Sequence, residues 1–292
     1  MFFKTMAIET RIDPQEIKIQ DLSLESSQST EILFDANRDI TDSDKTRILE
    51  SLVSFKKASG APRAENDLYA SIYYLAPAQL LHFPYENKTF VKEENLKTII
   101  EQHLTESKPG KLAEALMMMK ILFPQNCAQI LKNPEIFKLL KESVLYYTTT
   151  NWIDEGVKLI KNFAICYPTE PLPEEAKQFC ATAWEWAYKQ YSDNKKHLNE
   201  TSVLINRTAA IKYAFPELAA HWQGKLPPVK KLRDILEGWR KRGNWTTFLN
   251  VAATLQALAA ERIVVEDNRI KFVMPVTPIG KPKFDAPQIK HF

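Results

Sequence analysis

Glycine is scarce in this chain. Seven glycines among 292 residues is roughly a third of the usual share, which argues against a fold rich in positive-φ turns. Long apolar runs are also missing. No stretch reaches the ~18 residues that a membrane-spanning helix needs. The start, Met1-Phe2-Phe3-Lys4-Thr5-Met6, has no apolar core followed by small residues, so no signal peptide is expected. The three cysteines, Cys127, Cys166 and Cys180, are odd in number and show no paired metal spacing. They point to a reducing, intracellular and cytoplasmic setting, with no metal site and no disulfide framework.

Chemical motifs are absent as well. There is no glycine-rich phosphate loop, no Gly-x-Ser-x-Gly, no His-Glu-x-x-His and no calcium loop. His82, His103, His197, His221 and His291 are scattered. The acidic pairs Glu93-Glu94, Asp154-Glu155 and Glu174-Glu175 fall at predicted helix starts, where the helix dipole accounts for them. No cofactor is implied, and the expectation is a non-enzymatic protein.

What the chain does have is proline, and in a pattern. Four helix-like apolar stretches each run into a hydrophobic residue and a proline: Leu75-Ala76-Pro77, Leu122-Phe123-Pro124, Cys166-Tyr167-Pro168 and Ala214-Phe215-Pro216. The prolines stand 47, 44 and 48 residues apart. Proline lacks a backbone donor and pushes the preceding residue out of the helical region, so a helix is expected to stop at each one. A second break follows in every unit, at Pro84, Pro134, Pro171 with Pro173, and Pro227 with Pro228, and then another amphipathic run. Each unit thus reads as helix, proline corner, second helix. One such pair cannot bury its own apolar faces, so neighbouring units must stack.

These signals predict an all-α fold of stacked helical pairs, α-solenoid-like with a period of about 46 residues. Residues 1–40 read as an extended or disordered arm, 41–261 as the helical-repeat domain, 262–273 as a β-hairpin cap, and 274–292 as a proline-rich second arm. Thr41, Asp42 and Ser43 suit an N-cap. Asn151-Trp152 and Asn244-Trp245 echo each other two periods apart, each tryptophan opening a predicted helix, with Trp152 assigned to a buried face alongside Gly156, Leu159 and Phe163. Consecutive Met117, Met118 and Met119 point in different directions on a helix and read as core. The repeat length, the helical pairing and the proline corner resemble HEAT/armadillo-type α-solenoids over residues ~64–261. That resemblance is one of architecture, and it implies extended surfaces that hold proteins or nucleic acids.

Two constellations stand out as candidate sites. The first is basic and aromatic: Lys230, Lys231, Arg233, Arg240, Lys241 and Arg242, with Arg269 and Lys271 on the hairpin and Trp239 and Trp245 as stacking rings. Residues 225–292 carry 13 Lys/Arg against 6 Asp/Glu, and phosphate-neutralising cations next to rings are what single-stranded nucleic acid requires. The alternative is a wet helix face opposite a core stripe. The second constellation is the pair of arms, where Ile17, Ile19, Leu22 and Leu24 alternate like a strand that would add to a neighbouring subunit. The leading expectation is therefore a binding or assembly protein that engages protein partners, copies of itself among them. The second is a nucleocapsid-like nucleic-acid binder using the basic C-terminal surface. The third is a helical-repeat enzyme of the DNA-glycosylase kind with Trp184 or Trp186 lining a groove.

Overall fold

Three of the four proline corners close helices in the same way. In the computed structural model, which describes residues 34–58, 75–83, 92–194, 198–266 and 269–275, with backbone only for 52–58, helices α5 (Pro109–Leu122), α8 (Ile153–Cys166) and α10 (Leu198–Ala214) each end two residues before the proline. The C-cap residues are Phe123, Tyr167 and Phe215. Phe123 has φ −134 and ψ 61, Tyr167 −125 and 66, Phe215 −137 and 74. Each still donates its N–H to a carbonyl four residues back, at 2.7, 2.8 and 2.7 Å. The following proline needs no hydrogen bond, so the stop leaves no orphan donor. Pro124 and Pro216 then open the short helices α6 (Pro124–Ile130) and α11 (Pro216–Trp222) at N1, where proline is at home. Pro168 enters a turn instead.

Pro77 breaks the expected pattern. It lies within α3 (residues 75–80), whose helix runs on through the proline and stops only at His82. His82 adopts a left-handed φ of 57°. There the N–H groups of His82 and Phe83 return to the carbonyls of Gln79 and Ala78, closing a Schellman motif without glycine.

The described residues are predominantly α-helical, with one two-stranded antiparallel hairpin. Helices α5, α8, α10 and α13 (Trp245–Ala259) begin at residues 109, 153, 198 and 245. They pack in that order, α5 on α8, α8 on α10 and α10 on α13. A second row lies behind them. Helix α7 (Pro134–Thr148) packs on α8, α9 (Glu174–Asp193) on α10, and α12 (Val229–Lys241) on α13, while α4 (Glu93–Thr105) packs on α5. One contact recurs along the inner row. Lys120 of α5 donates to the Cys166 carbonyl that ends α8, and Lys212 of α10 donates to the Leu258 carbonyl near the end of α13, each spanning 46 residues. A cation on the last unpaired carbonyls complements the negative end of the helix.

Burial follows each helix's place in the two rows. Helix α5 is enclosed on all sides, with every residue from Leu112 to Leu122 buried. Burial there is not confined to one stripe, and Met117, Met118 and Met119 are all core. Helix α12, in the outer row, buries one stripe of Leu232, Ile235 and Leu236. Gly156 lets α9 come close to α8: a Cβ there would meet the Phe179 ring at 2.7 Å. Trp184 of α9 is 1% exposed and stacks on Trp222 with ring centroids 4.3 Å apart, its indole N–H donating to the Thr208 hydroxyl.

The tryptophan echo does not extend to environment. Trp152 is the N-cap of α8 and is 64% exposed, whereas Trp245 opens α13 and is buried against Phe248. Helices α1 (Ala36–Asp39) and α2 (Asp42–Ala58) fold back onto α13 and α12, with the Ala36 N–H donating to the Gln256 side chain. Thr41 and Asp44 cap α2 reciprocally, each side chain accepting from the other's backbone N–H. The hairpin, β1 (Arg262–Glu266) paired with β2 (Arg269–Val273), does more than cover the last helix. Strand β2 packs against α5, and Phe272 sets its ring edge-on to Tyr213 of α10.

Candidate ligand groove

A cavity of about 590 Å³ is lined by α3, α5, α8, α10 and α13 together. Its walls are apolar: Ala76, Pro77 and Leu80 from α3, Met117, Met118 and Ile121 from α5, Val157 from α8, and Val203, Ala210, Ala253 and Ala257 from α10 and α13. Small residues on α10 and α13 keep the space open. The polar groups set among them differ in how fully they are satisfied.

At one end the charges are spent on one another. The Glu114 carboxylate is buried and takes the Lys158 ammonium at 2.7 Å, with Lys111 at 3.8 Å. Arg207, only 4% exposed, donates to the Ala183 carbonyl and pairs with Asp154, and its guanidinium lies over the half-exposed Trp186 ring. Thr254 donates to Asn206 across α13 and α10.

At the other end they are not. Asn162 is 0% exposed, and neither its amide oxygen nor its nitrogen has a hydrogen-bond partner. A buried amide left this way costs about 1–3 kcal/mol, which marks the position as one that a bound group would relieve. Lys161, beside it in sequence, holds its ammonium 5.3 Å above the Tyr213 ring centroid and has no hydrogen-bond or ion-pair partner among the described residues. Burial and the nearby Lys158 lower its pKa to about 8, with Glu114 opposing, so it still carries its charge at neutral pH. Burial pushes the Tyr213 phenol up, keeping it a neutral donor.

The residues singled out from sequence lie elsewhere. Lys230, Lys241, Arg242, Arg269 and Lys271 are exposed on α12, its C-terminus and β2, with Lys271 3.6 Å from Glu266. Lys231 sits over Tyr191. Arg233 lies close enough to Asp39 to help hold that carboxyl below its usual range, against desolvation and alongside Arg38. Arg240 is an internal strut. It pairs with Asp44 at 3.0 Å and with Glu237, donates to the Asp39 carbonyl, and lies over Phe248. Trp239 is partly buried beneath Arg242, and Trp245 is in the core. Trp184 is interior, and Trp186 flanks Arg207 outside the cavity lining. Ile17, Ile19, Leu22 and Leu24 fall outside the described residues.

Sequence reasoning passed over Asn162, Lys161, Glu114, Arg207 and Tyr213. One local signal existed. Asn162 sits within the buried stripe of α8, three residues after Leu159 and next to Phe163, where a polar side chain needs a reason. The cysteines offer no nucleophile. Burial raises the thiols of Cys127 and Cys180 to about 12 and Cys166 further, so none is a thiolate at neutral pH. Among the described residues no helix is long and apolar enough to cross a membrane, and no group of His, Cys, Asp or Glu is placed to hold a metal ion. No family model matches the chain, and comparison with curated proteins and with solved structures finds no match.

Proposed function

We propose that this chain is a non-enzymatic binding module of the α-solenoid kind, and that the groove of its inner helical row holds an extended polypeptide segment of a protein partner. The observation that carries the reading is the shared cavity: apolar walls from five helices enclose an amide, Asn162, with both hydrogen-bonding ends unspent. A peptide group, one donor and one acceptor, matches that amide, and apolar side chains match the walls. The solenoid reading is supported by inner helices beginning at 109, 153, 198 and 245, by the shared C-caps at Phe123, Tyr167 and Phe215, and by the lysine contacts recurring at 46 residues. Assembly through the terminal arms belongs to the same reading, with copies of the chain among the partners.

The test is selection of displayed peptides on the full-length chain, repeated on an Ala210→Trp variant whose indole fills the groove. Peptides that bind the natural chain and lose at least tenfold in affinity to the filled one support the reading. Binding indifferent to the filling refutes it. A second reading, nucleic acid on the basic surface, is favoured by the exposure of Lys230 in the first turn of α12 and of Lys241 and Arg242 at its other end. Its test is salt-dependent retention on single-stranded RNA.

A further inference from the structure

The unspent end of the groove is specific in what it asks for. The Asn162 amide offers one acceptor and one pair of donors, both buried and unpartnered. Next to it stands a cation, Lys161, whose neighbours do not neutralise it: Glu114 is already engaged by Lys158, and Tyr213 beneath it contributes only a ring face and a neutral hydroxyl. The hairpin flanks this end, since Phe272 abuts Tyr213 and β2 reaches α5. A chain running into the groove from the Arg207 end therefore approaches the hairpin as it reaches Lys161.

Building on the proposed peptide-binding role, we infer that the groove reads the C-terminal end of a polypeptide, with the last peptide group on Asn162 and the α-carboxylate on Lys161. The terminal side chain then packs among Met118, Ile121 and Ala257. An internal peptide segment supplies the amide partner but no anion, and it meets the hairpin where it needs to continue. An internal Asp or Glu supplies the anion from its side chain, so the two carboxylate sources share one chemistry and are separated by the ligand rather than by the protein.

The experiment uses the full chain and a library of N-terminally fluorescein-labelled octapeptides with free C-terminal carboxylates, panned against the natural protein and counter-selected on the Ala210→Trp variant. The best binders are remade as C-terminal carboxamides, and separately with each internal Asp or Glu changed to Asn or Gln. Amidation is expected to weaken binding by about tenfold or more, the usual cost of losing a charge-assisted hydrogen bond, whereas the internal changes have little effect. Lys161→Met is expected to erase the preference for acid over amide, and Lys161→Arg to restore most of it. Carboxamides that bind as tightly as the acids overturn the inference while leaving groove binding intact, as does loss on changing an internal acid alone. Enrichment no better on the natural chain than on the filled one overturns the inference together with the proposed function. The acid-against-amide comparison on the natural protein decides the matter even if a Lys161 variant fails to fold.

Discussion

Helix α12 and the inner groove hold the same kinds of side chain under different conditions. On α12 the cations are either committed to the fold, as Arg240 is to Asp44, Glu237 and the Asp39 carbonyl, or solvated at the surface, as Lys230 and Lys241 are. In the groove, Asn162 is neither: it is withdrawn from water and left without a partner, and the half-buried Lys161 that precedes it lies over the Tyr213 ring face. A solvated lysine costs nothing to leave alone, and a committed arginine has nothing further to give. A buried group with no partner stores a penalty that a ligand can remove. Charge density in the sequence therefore drew attention to α12, while the groups with the most to gain from binding lie in the inner row.

The comparison is tested most severely at Arg240. Arg240→Ala strips the guanidinium from Asp44, whose side chain is only 6% exposed, and releases the α12 end of α1 and α2. Because Arg240 is part-exposed and Asp44 keeps its Thr41 hydrogen bonds, the loss is expected at about 2–3 kcal/mol, below the ~3–5 kcal/mol of a fully buried pair, read as a lower urea midpoint with the slope unchanged. A loss below ~0.5 kcal/mol would place Arg240 with the solvated lysines and undo its assignment as a strut.

The groove variant carries the opposite sign. Asn162→Leu removes an unsatisfied buried amide and adds apolar volume beside an existing cavity, so the unliganded protein is expected to gain about 1–2 kcal/mol. The same change should abolish peptide binding. Stability gained where function is lost is the signature of a site held in a costly state for its ligand. A destabilised variant would mean that the amide is satisfied in solution, by ordered water for instance.

Much of the architecture was readable because its causes are local. Pro124, Pro168 and Pro216 stop helices through chemistry confined to two or three residues, and Asn244 caps α13 beside Gly243, at φ +65, for similarly local reasons. Pro77 escaped the rule because a proline inside a helix and one just past its end look alike in sequence. Trp152 and Trp245 both follow an asparagine, yet Trp152 is exposed and Trp245 packs on Phe248 in the core, a difference that tertiary packing sets. The groove was readable only at Asn162, a polar residue within the apolar stripe of α8. Lys161 and Tyr213 meet across 52 positions, and that the Asn162 amide goes unpaired is clear only once the packing of α3, α5, α8, α10 and α13 is known.

Buried titratable groups give a third, smaller effect. Lys161 and Lys212 are both held at about 8 by burial, against 10.5 in an unfolded chain. Between those values the unfolded state binds more protons, so their contribution to stability grows as pH rises. The buried thiols of Cys127, Cys166 and Cys180 run the other way, with folded values raised above 9.0. Tyr167 and Tyr213 do the same above 10.0. For these five the unfolded state ionises first, and stability falls. Denaturant melts across alkaline pH should therefore show a maximum near pH ~9, with the rising limb reduced in a Lys161→Met, Lys212→Met double variant. A profile falling steadily from neutral pH would show that the two lysines are not desolvated.

The smallest effect on stability is expected where the sequence looked most suggestive. Lys230, Lys241 and Arg242 are exposed, so their combined replacement by alanine should leave folding within about 0.5 kcal/mol, as surface changes away from special features usually do. That insensitivity makes the triple variant a clean probe of the nucleic-acid reading, because any lost retention on single-stranded RNA cannot come from unfolding. If these cations neutralise phosphates, the natural protein's affinity falls steeply with salt and the variant's falls less, by about 0.7 of a unit of logarithmic slope for each contact removed from a single strand. If the groove is the functional surface, the two slopes coincide near zero while peptide affinity is the same for both proteins. These outcomes differ in kind: a solvated cation contributes through the counterions it releases, and the groove lysine through the one carboxylate proposed to pair with it.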